Sequence, residues 1–147
     1  MDILSKTPER LKELMFDKGI NAPKLAKDLH IGSNSITRCL SGKTLPKFHT
    51  FVAIITYFNC SADFLLGLND YPQTERNYLP CPPFQESFRN AMQACGFSQY
   101  ELQKQTNISW SNFHFWLNGI RSPYLDNLVK IAQTMDCSVD FLIGRVK

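Results

Sequence analysis

The 147-residue chain repeats itself. Residues 11–68 lie over residues 88–145 without a gap, at a constant offset of 77. Identical residues recur at Met15/Met92, Gly19/Gly96, Leu25/Leu102, Leu40/Leu117, Gly42/Gly119, Pro46/Pro123 and Ile54/Ile131. The match is densest where Cys60-Ser61-Ala62-Asp63-Phe64-Leu65-Leu66-Gly67 meets Cys137-Ser138-Val139-Asp140-Phe141-Leu142-Ile143-Gly144. A period this long exceeds that of solenoid repeats, whose units cannot bury a core alone. Each copy is long enough to be a small domain, near the lower size limit. The expected organisation is a first domain over 1–68, a linker over 69–83 and a second domain over 84–147.

Composition narrows the function classes. Hydrophobic content of 44% with 20% charged residues is ordinary for a globular chain. No apolar N-terminal run reads as a signal peptide, and the stretch from Phe48 to Phe58 is too short to span a bilayer. No membrane association and a cytoplasmic location are expected. The five cysteines form no Cys-x-x-Cys pair and no zinc-like spacing with histidine. They read as small hydrophobes in a reducing compartment, with Cys60 and Cys137 buried at equivalent positions. No Gly-rich phosphate loop, nucleophile–His–carboxylate set or metal-spaced cluster is present, so neither an enzyme nor a cofactor-dependent protein is expected. Residues 1–68 hold nine Lys/Arg against six Asp/Glu, while residues 84–147 hold six against five. The first copy is the stronger electrostatic match for phosphate.

One copy reads as five helices. Thr7-Pro8-Glu9 combines a capping residue, a first-turn proline and an acidic residue at the positive helix end. Leu11, Leu14 and Met15 follow at helical spacing, and Gly19 closes the helix. Asn21 is placed to cap a second, short helix that stops near Ile31-Gly32. Gly32 or Ser33 opens a third, which Gly42 closes. An apolar fourth helix covers His49 to Phe58, and a short fifth runs from Ser61 or Asp63 to Gly67. Two short helices joined by a tight turn and braced by apolar helices make a helix-turn-helix. Leu25, Ile31, Ile36 and Leu40 are expected to set its angle from inside.

The strings Gly-Ile-Asn-Ala-Pro-Lys-Leu-Ala, Ile-Gly-Ser-Asn-Ser-Ile-Thr-Arg, Ser-Gly-Lys-Thr-Leu-Pro and Asp-Phe-Leu-Leu-Gly resemble the Cro/CI-type, lambda-repressor-like helix-turn-helix family of phage and bacterial regulators. The second copy resembles it through Gly-Phe-Ser-Gln-Tyr-Glu-Leu, Leu-Asn-Gly-Ile-Arg-Ser-Pro and Val-Asp-Phe-Leu-Ile-Gly. The resemblance implies an all-α chain of two tandem five-helix domains, joined by a Pro-containing linker, with double-stranded DNA as the ligand. The function it implies is transcriptional regulation by operator occupancy.

In a helix-turn-helix the third helix enters the major groove and its early outward residues meet base edges. With Ile36, Cys39 and Leu40 inward, Ser33, Asn34, Thr37 and Arg38 face outward. Asn suits adenine, Arg suits guanine, and the hydroxyls suit either. The resemblance further implies phosphate contacts at Asn21, Lys24, Lys43, Thr44 and Lys47, aided by free backbone N–H groups over residues 21–24. Ala22 stands where the family often carries a glutamine that braces the third helix.

The second copy reads differently. Gln99 occupies that glutamine position and Arg121 the phosphate loop. The outward third-helix residues are Trp110, Ser111, His114 and Phe115, which bring apolar area in place of base-specific hydrogen bonding. Two readings stay open: DNA contact, or an interface for homodimerisation or an antitoxin-like protein partner. The linker, with Pro72, Pro80, Pro82 and Pro83, reaches roughly 45 Å if extended at about 3.1 Å per residue. That exceeds the roughly 34 Å between successive major-groove half-sites.

Overall fold

The computed structural model describes residues 3–147, with side chains from Ser5 onward. Among the described residues there are ten α-helices and no strand. The chain divides into two compact units between Arg76 and Asn77.

In the first unit α1 is Thr7–Lys18, α2 Ala22–Leu29, α3 Ser33–Leu40, α4 Phe48–Phe58 and α5 Ala62–Leu65. Thr7 is not the N-cap of α1. A 3-10 turn over Ile3–Lys6 runs straight into the helix, so Lys6 takes the cap position and Thr7 enters the first turn with its side chain buried. Gly19 ends α1 in the left-handed region (φ 70°), and its N–H reaches back to the Met15 and Phe16 carbonyls. A residue with a Cβ is strained there. The Asn21 side chain caps α2 by accepting from the Lys24 N–H, and α2 ends at His30, itself left-handed at φ 58°. Leu25 of α2 and Ile36 of α3 are wholly buried and fix the angle between these helices. Leu40 and Ile31 were expected beside them but lie only half-buried, at the edge of the core rather than within it. Phe51, Ile54, Ile55 and Phe58 of α4 pack into the same core, with Leu11, Leu14 and Met15 of α1.

In the second unit α6 is Phe84–Cys95, α7 Gln99–Thr106, α8 Trp110–Leu117, α9 Leu125–Thr134 and α10 Val139–Leu142. The helix order repeats, and the same positions fill the core with different side chains. Phe88 stacks on Phe84 at 5.2 Å and on Phe113 at 6.1 Å, and Phe113 meets Trp116 at 5.3 Å. The first unit has Leu11, Ile36 and Cys39 at the positions of Phe88, Phe113 and Trp116. In return, its Phe51 and Phe58 stand where the second unit has Leu128 and Met135. Interiors are close-packed, so volume gained under one helix is removed from its neighbour. Cys60 is fully buried. Cys137, expected to be buried too, is only half-covered.

The segment 69–83 is ordered in two parts. Its first half lies on the first unit: the Ser61 N–H donates to the Pro72 carbonyl at 2.7 Å, and Asn59 Nδ2 to the Thr74 carbonyl at 2.8 Å. Its second half lies on the second unit, where the Leu79 N–H donates to the Arg145 carbonyl at 2.9 Å. The Arg145 guanidinium sits 4.0 Å from the centre of the Tyr78 ring.

Candidate nucleic-acid interface

Helical geometry places the third helix of the first unit with one face in the core and one in water. Ile36 and Cys39 of α3 are buried, while Ser33, Asn34, Thr37 and Arg38 are exposed. The Thr37 hydroxyl donates to the Ser33 carbonyl at 3.0 Å, which leaves its oxygen free to accept. Gly32, the N-cap, offers no side chain to the first-turn N–H groups of α3. The Ser35 N–H turns back to the Gly32 carbonyl at 3.1 Å, which leaves the Ser33 and Asn34 N–H groups at the positive helix end, where an anion is favoured. Arg38 forms no ion pair with any described residue. Its side chain lines a groove of about 480 Å³ together with Thr44, Lys47 and His49, so the end of α3, the following loop and the start of α4 share one surface.

The start of α2 is less open than the sequence suggests. The Lys24 N–H is taken by the Asn21 side chain at 3.0 Å, and Pro23 has no N–H to offer. The expectation of free donors over residues 21–24 therefore fails at Lys24, because the capping bond uses that group. The Lys24 ammonium is itself engaged, 3.0 Å from the Asp28 carboxylate. Lys43, Thr44 and Lys47 are all exposed.

Asp28 belongs to a network that sequence reasoning missed. The Tyr57 hydroxyl of α4 donates to Asp28 of α2 at 2.6 Å, and the Lys18 ammonium lies 4.0 Å from the centre of the Tyr57 ring. The Tyr57 and Lys24 hydrogen bonds hold the Asp28 carboxyl below its ordinary range. The same bond to Asp28 pushes the Tyr57 hydroxyl up, as ionisation would set two anions face to face. The tether secures the helix that braces α3. The second unit has Gln105 and Thr134 at these positions and cannot form it.

In the second unit the third helix presents rings. Trp110 stacks on His114 with centroids 4.9 Å apart, and Asn118 Nδ2 lies 3.2 Å from His114 Nδ1. Phe115 is half-buried beneath Arg121, whose guanidinium is 4.6 Å from the ring centre. Ser111 is exposed. Gln99 donates to Gln103 of its own helix at 2.9 Å. The Ser109 side chain caps α8 by accepting from the Asn112 N–H, a group that α3 leaves uncapped by any side chain.

Three further residues on this side were not singled out from the sequence. Tyr100, Ile120 and Tyr124 are 73%, 59% and 72% exposed, beside Trp110 at 58%. They stand at the positions of Pro23, Lys43 and Lys47 in the first copy. Carrying Lys43 and Lys47 across the 77-residue offset, as for Gln99 and Arg121, would have found Ile120 and Tyr124; Tyr100, opposite Pro23, had no such signal.

Among the described residues no helix is long and apolar enough to cross a membrane, and no group of three or more His, Cys, Asp or Glu could hold a metal ion. A search of curated proteins and a search of solved structures each returned no match. A family model for the Cro/C1-type HTH DNA-binding domain matches residues 10–70 and, separately, residues 88–147. The two matches repeat the internal duplication and together cover most of the sequence. The chain belongs to the Cro/C1-type HTH DNA-binding family, of which it carries two tandem copies, and is a DNA-binding regulator.

Proposed function

We propose that this protein regulates transcription by occupying a specific double-stranded operator, with α3 of the first unit reading bases in the major groove. One observation carries the reading: the exposed face of α3 is wholly polar, and its Arg38 shares a groove with Thr44 and Lys47 of the following loop. Ser33, Asn34 and Thr37 complete the base-reading set. Lys43, Thr44 and Lys47 serve as phosphate contacts, with Asn21 and Lys24 secondary because each is engaged within α2. Arg38 forms no ion pair with any described residue, and its guanidinium matches the paired acceptors of guanine. The protein acts by occupancy rather than by chemistry, and it works in the cytoplasm without a cofactor.

The test is selection from random duplex oligonucleotides with the full chain, repeated for Arg38→Ala. The wild type enriches a defined motif. Arg38→Ala loses discrimination at one base pair, worth about 1–3 kcal/mol there. Unchanged discrimination in the variant removes α3 from base reading, and no enrichment with the wild type removes operator binding altogether.

A second reading is favoured by the aromatic side of the second unit, where rings replace the polar and basic residues of the first. In that reading the second copy is a protein-interaction module, and Gln99 and Arg121 are not phosphate contacts.

A further inference from the structure

The geometry points to a role for the second unit as the self-association module of this chain: the face that would meet DNA in a reading domain instead meets the same face of a second copy. This goes beyond the DNA-binding reading and stands or falls without it.

The argument begins with what has replaced what. At the positions of Pro23, Ser33, Lys43 and Lys47 the second copy has Tyr100, Trp110, Ile120 and Tyr124. Of the five large hydrophobic residues exposed in this unit, these are four; Leu79 is the other. Part of this surface is held in place. Trp110 stacks on His114, the Ile120 N–H donates to the Phe115 carbonyl at 2.9 Å, and the Arg121 guanidinium lies over the Phe115 ring. Trp, Tyr and Arg are the residue types that dominate interface energetics.

Area and charge choose the occupant. At these exposures the four side chains present on the order of 500 Å² of largely apolar surface, most of the roughly 800 Å² that one partner gives to a stable dimer. Exposed apolar surface of this size is at the upper end of what monomers show, and such surface is often functional. Duplex DNA is disfavoured by charge, since Glu101 stands where the first copy has Lys24, and Asp126 where it has His49. Unpaired nucleic acid would accept the rings but meets the same two carboxylates. The set of Arg121 with Glu101 and Asp126 is complementary to itself. Brought against its own copy about a twofold axis, such a face sets cation toward carboxylate and ring toward ring.

The experiment is sedimentation equilibrium of the full chain without DNA, from about 1 to 100 μM, beside variants of the exposed rings. The wild type sediments as a dimer in this range. Trp110→Ser with Tyr124→Ser raises the dissociation constant at least ~10-fold, as loss of two central anchors does, and Ile120→Glu does the same independently. Circular dichroism remains as in the wild type, because these side chains face water, and the thermal transition drops only by the stabilisation that dimerisation supplies. Phe16→Ser, an exposed apolar residue of the first unit, leaves the dimer intact. Arg38→Ala also dimerises normally while losing base discrimination, which keeps failure of the two readings apart. A wild type that stays monomeric throughout, or a dimer indifferent to both ring variants, overturns the proposal. A monomer whose Trp110 emission is quenched by oligo(dT) overturns it in favour of base stacking.

Discussion

Arg145 donates to the Asp140 carboxylate across 2.7 Å, with the arginine side chain 2% exposed and the aspartate 7%. This ion pair lies inside the second unit, under the Tyr78 ring. The first unit has Asp63 at the equivalent position but Leu68 in place of the arginine. Two charges withdrawn from water add little net stability, yet removing one strands the other. Arg145→Ala is expected to cost about 3–5 kcal/mol in the unfolding of the second unit, read from the urea midpoint. A cost below about 1 kcal/mol would mean that Asp140 is satisfied by other donors or reached by water.

The Tyr57–Asp28 bond makes a prediction about pH. A carboxyl whose folded pKa is depressed contributes stability that is present above its unfolded pKa and lost as pH falls through the folded value. The Asp28 contribution is therefore lost on the acid side, below the ordinary carboxylate range of about 4. Tyr57 is raised, so its contribution is present below the ordinary tyrosine value of about 10 and declines as pH climbs above it. In Tyr57→Phe, carbon-detected NMR should show Asp28 titrating closer to the free value. An unchanged Asp28 titration would assign its depression to the lysines, Lys24 and Lys27.

Gly19 closes α1 at φ 70° with open space where a Cβ would stand. The cost of substitution there is conformational rather than steric. Gly19→Ala should destabilise by about 1–2 kcal/mol. Gly19→Asn should cost visibly less, since asparagine tolerates this region. Equal losses in thermal unfolding would point to a steric cause instead.

Among the basic residues of the first unit, engagement decides rank. Lys43→Ala and Lys47→Ala should each lower the slope of log K against log salt by about 1 for the selected operator, the signature of one lost phosphate contact. Lys24→Ala should change the slope less, because its ammonium already sits on Asp28. A larger effect at position 24 would reverse the assignment and show that DNA displaces the Asp28 pair.

Helix existence and order were legible along most of the chain. Leu11, Leu14 and Met15 recur at helical spacing, Gly19 closes α1 and Asn21 caps α2, and all of this is local chemistry. The start of α1 was less legible, since a 3-10 turn ahead of Thr7 displaced its capping role. Leu40 shows a second limit: a leucine with correct periodicity is buried only if a neighbour covers it. Within the candidate site, the polar face of α3 followed from periodicity. The engagement of Lys24 did not, because its outcome depends on Tyr57, distant in sequence, holding Asp28 in place.

By itself the sequence determined the duplication, the all-α class, the helix-turn-helix motif and the polar character of the α3 face. Each follows from spacing and residue type over short stretches, where backbone hydrogen bonding and side-chain direction are set by near neighbours. Tertiary structure alone decided the rest: which copy packs aromatics under its third helix, how Asp28 is tethered, and how Tyr100, Ile120 and Tyr124 stay exposed beside Trp110. Those outcomes depend on side chains far apart in the chain competing for one volume or one hydrogen-bond partner. No local pattern records the result of that competition.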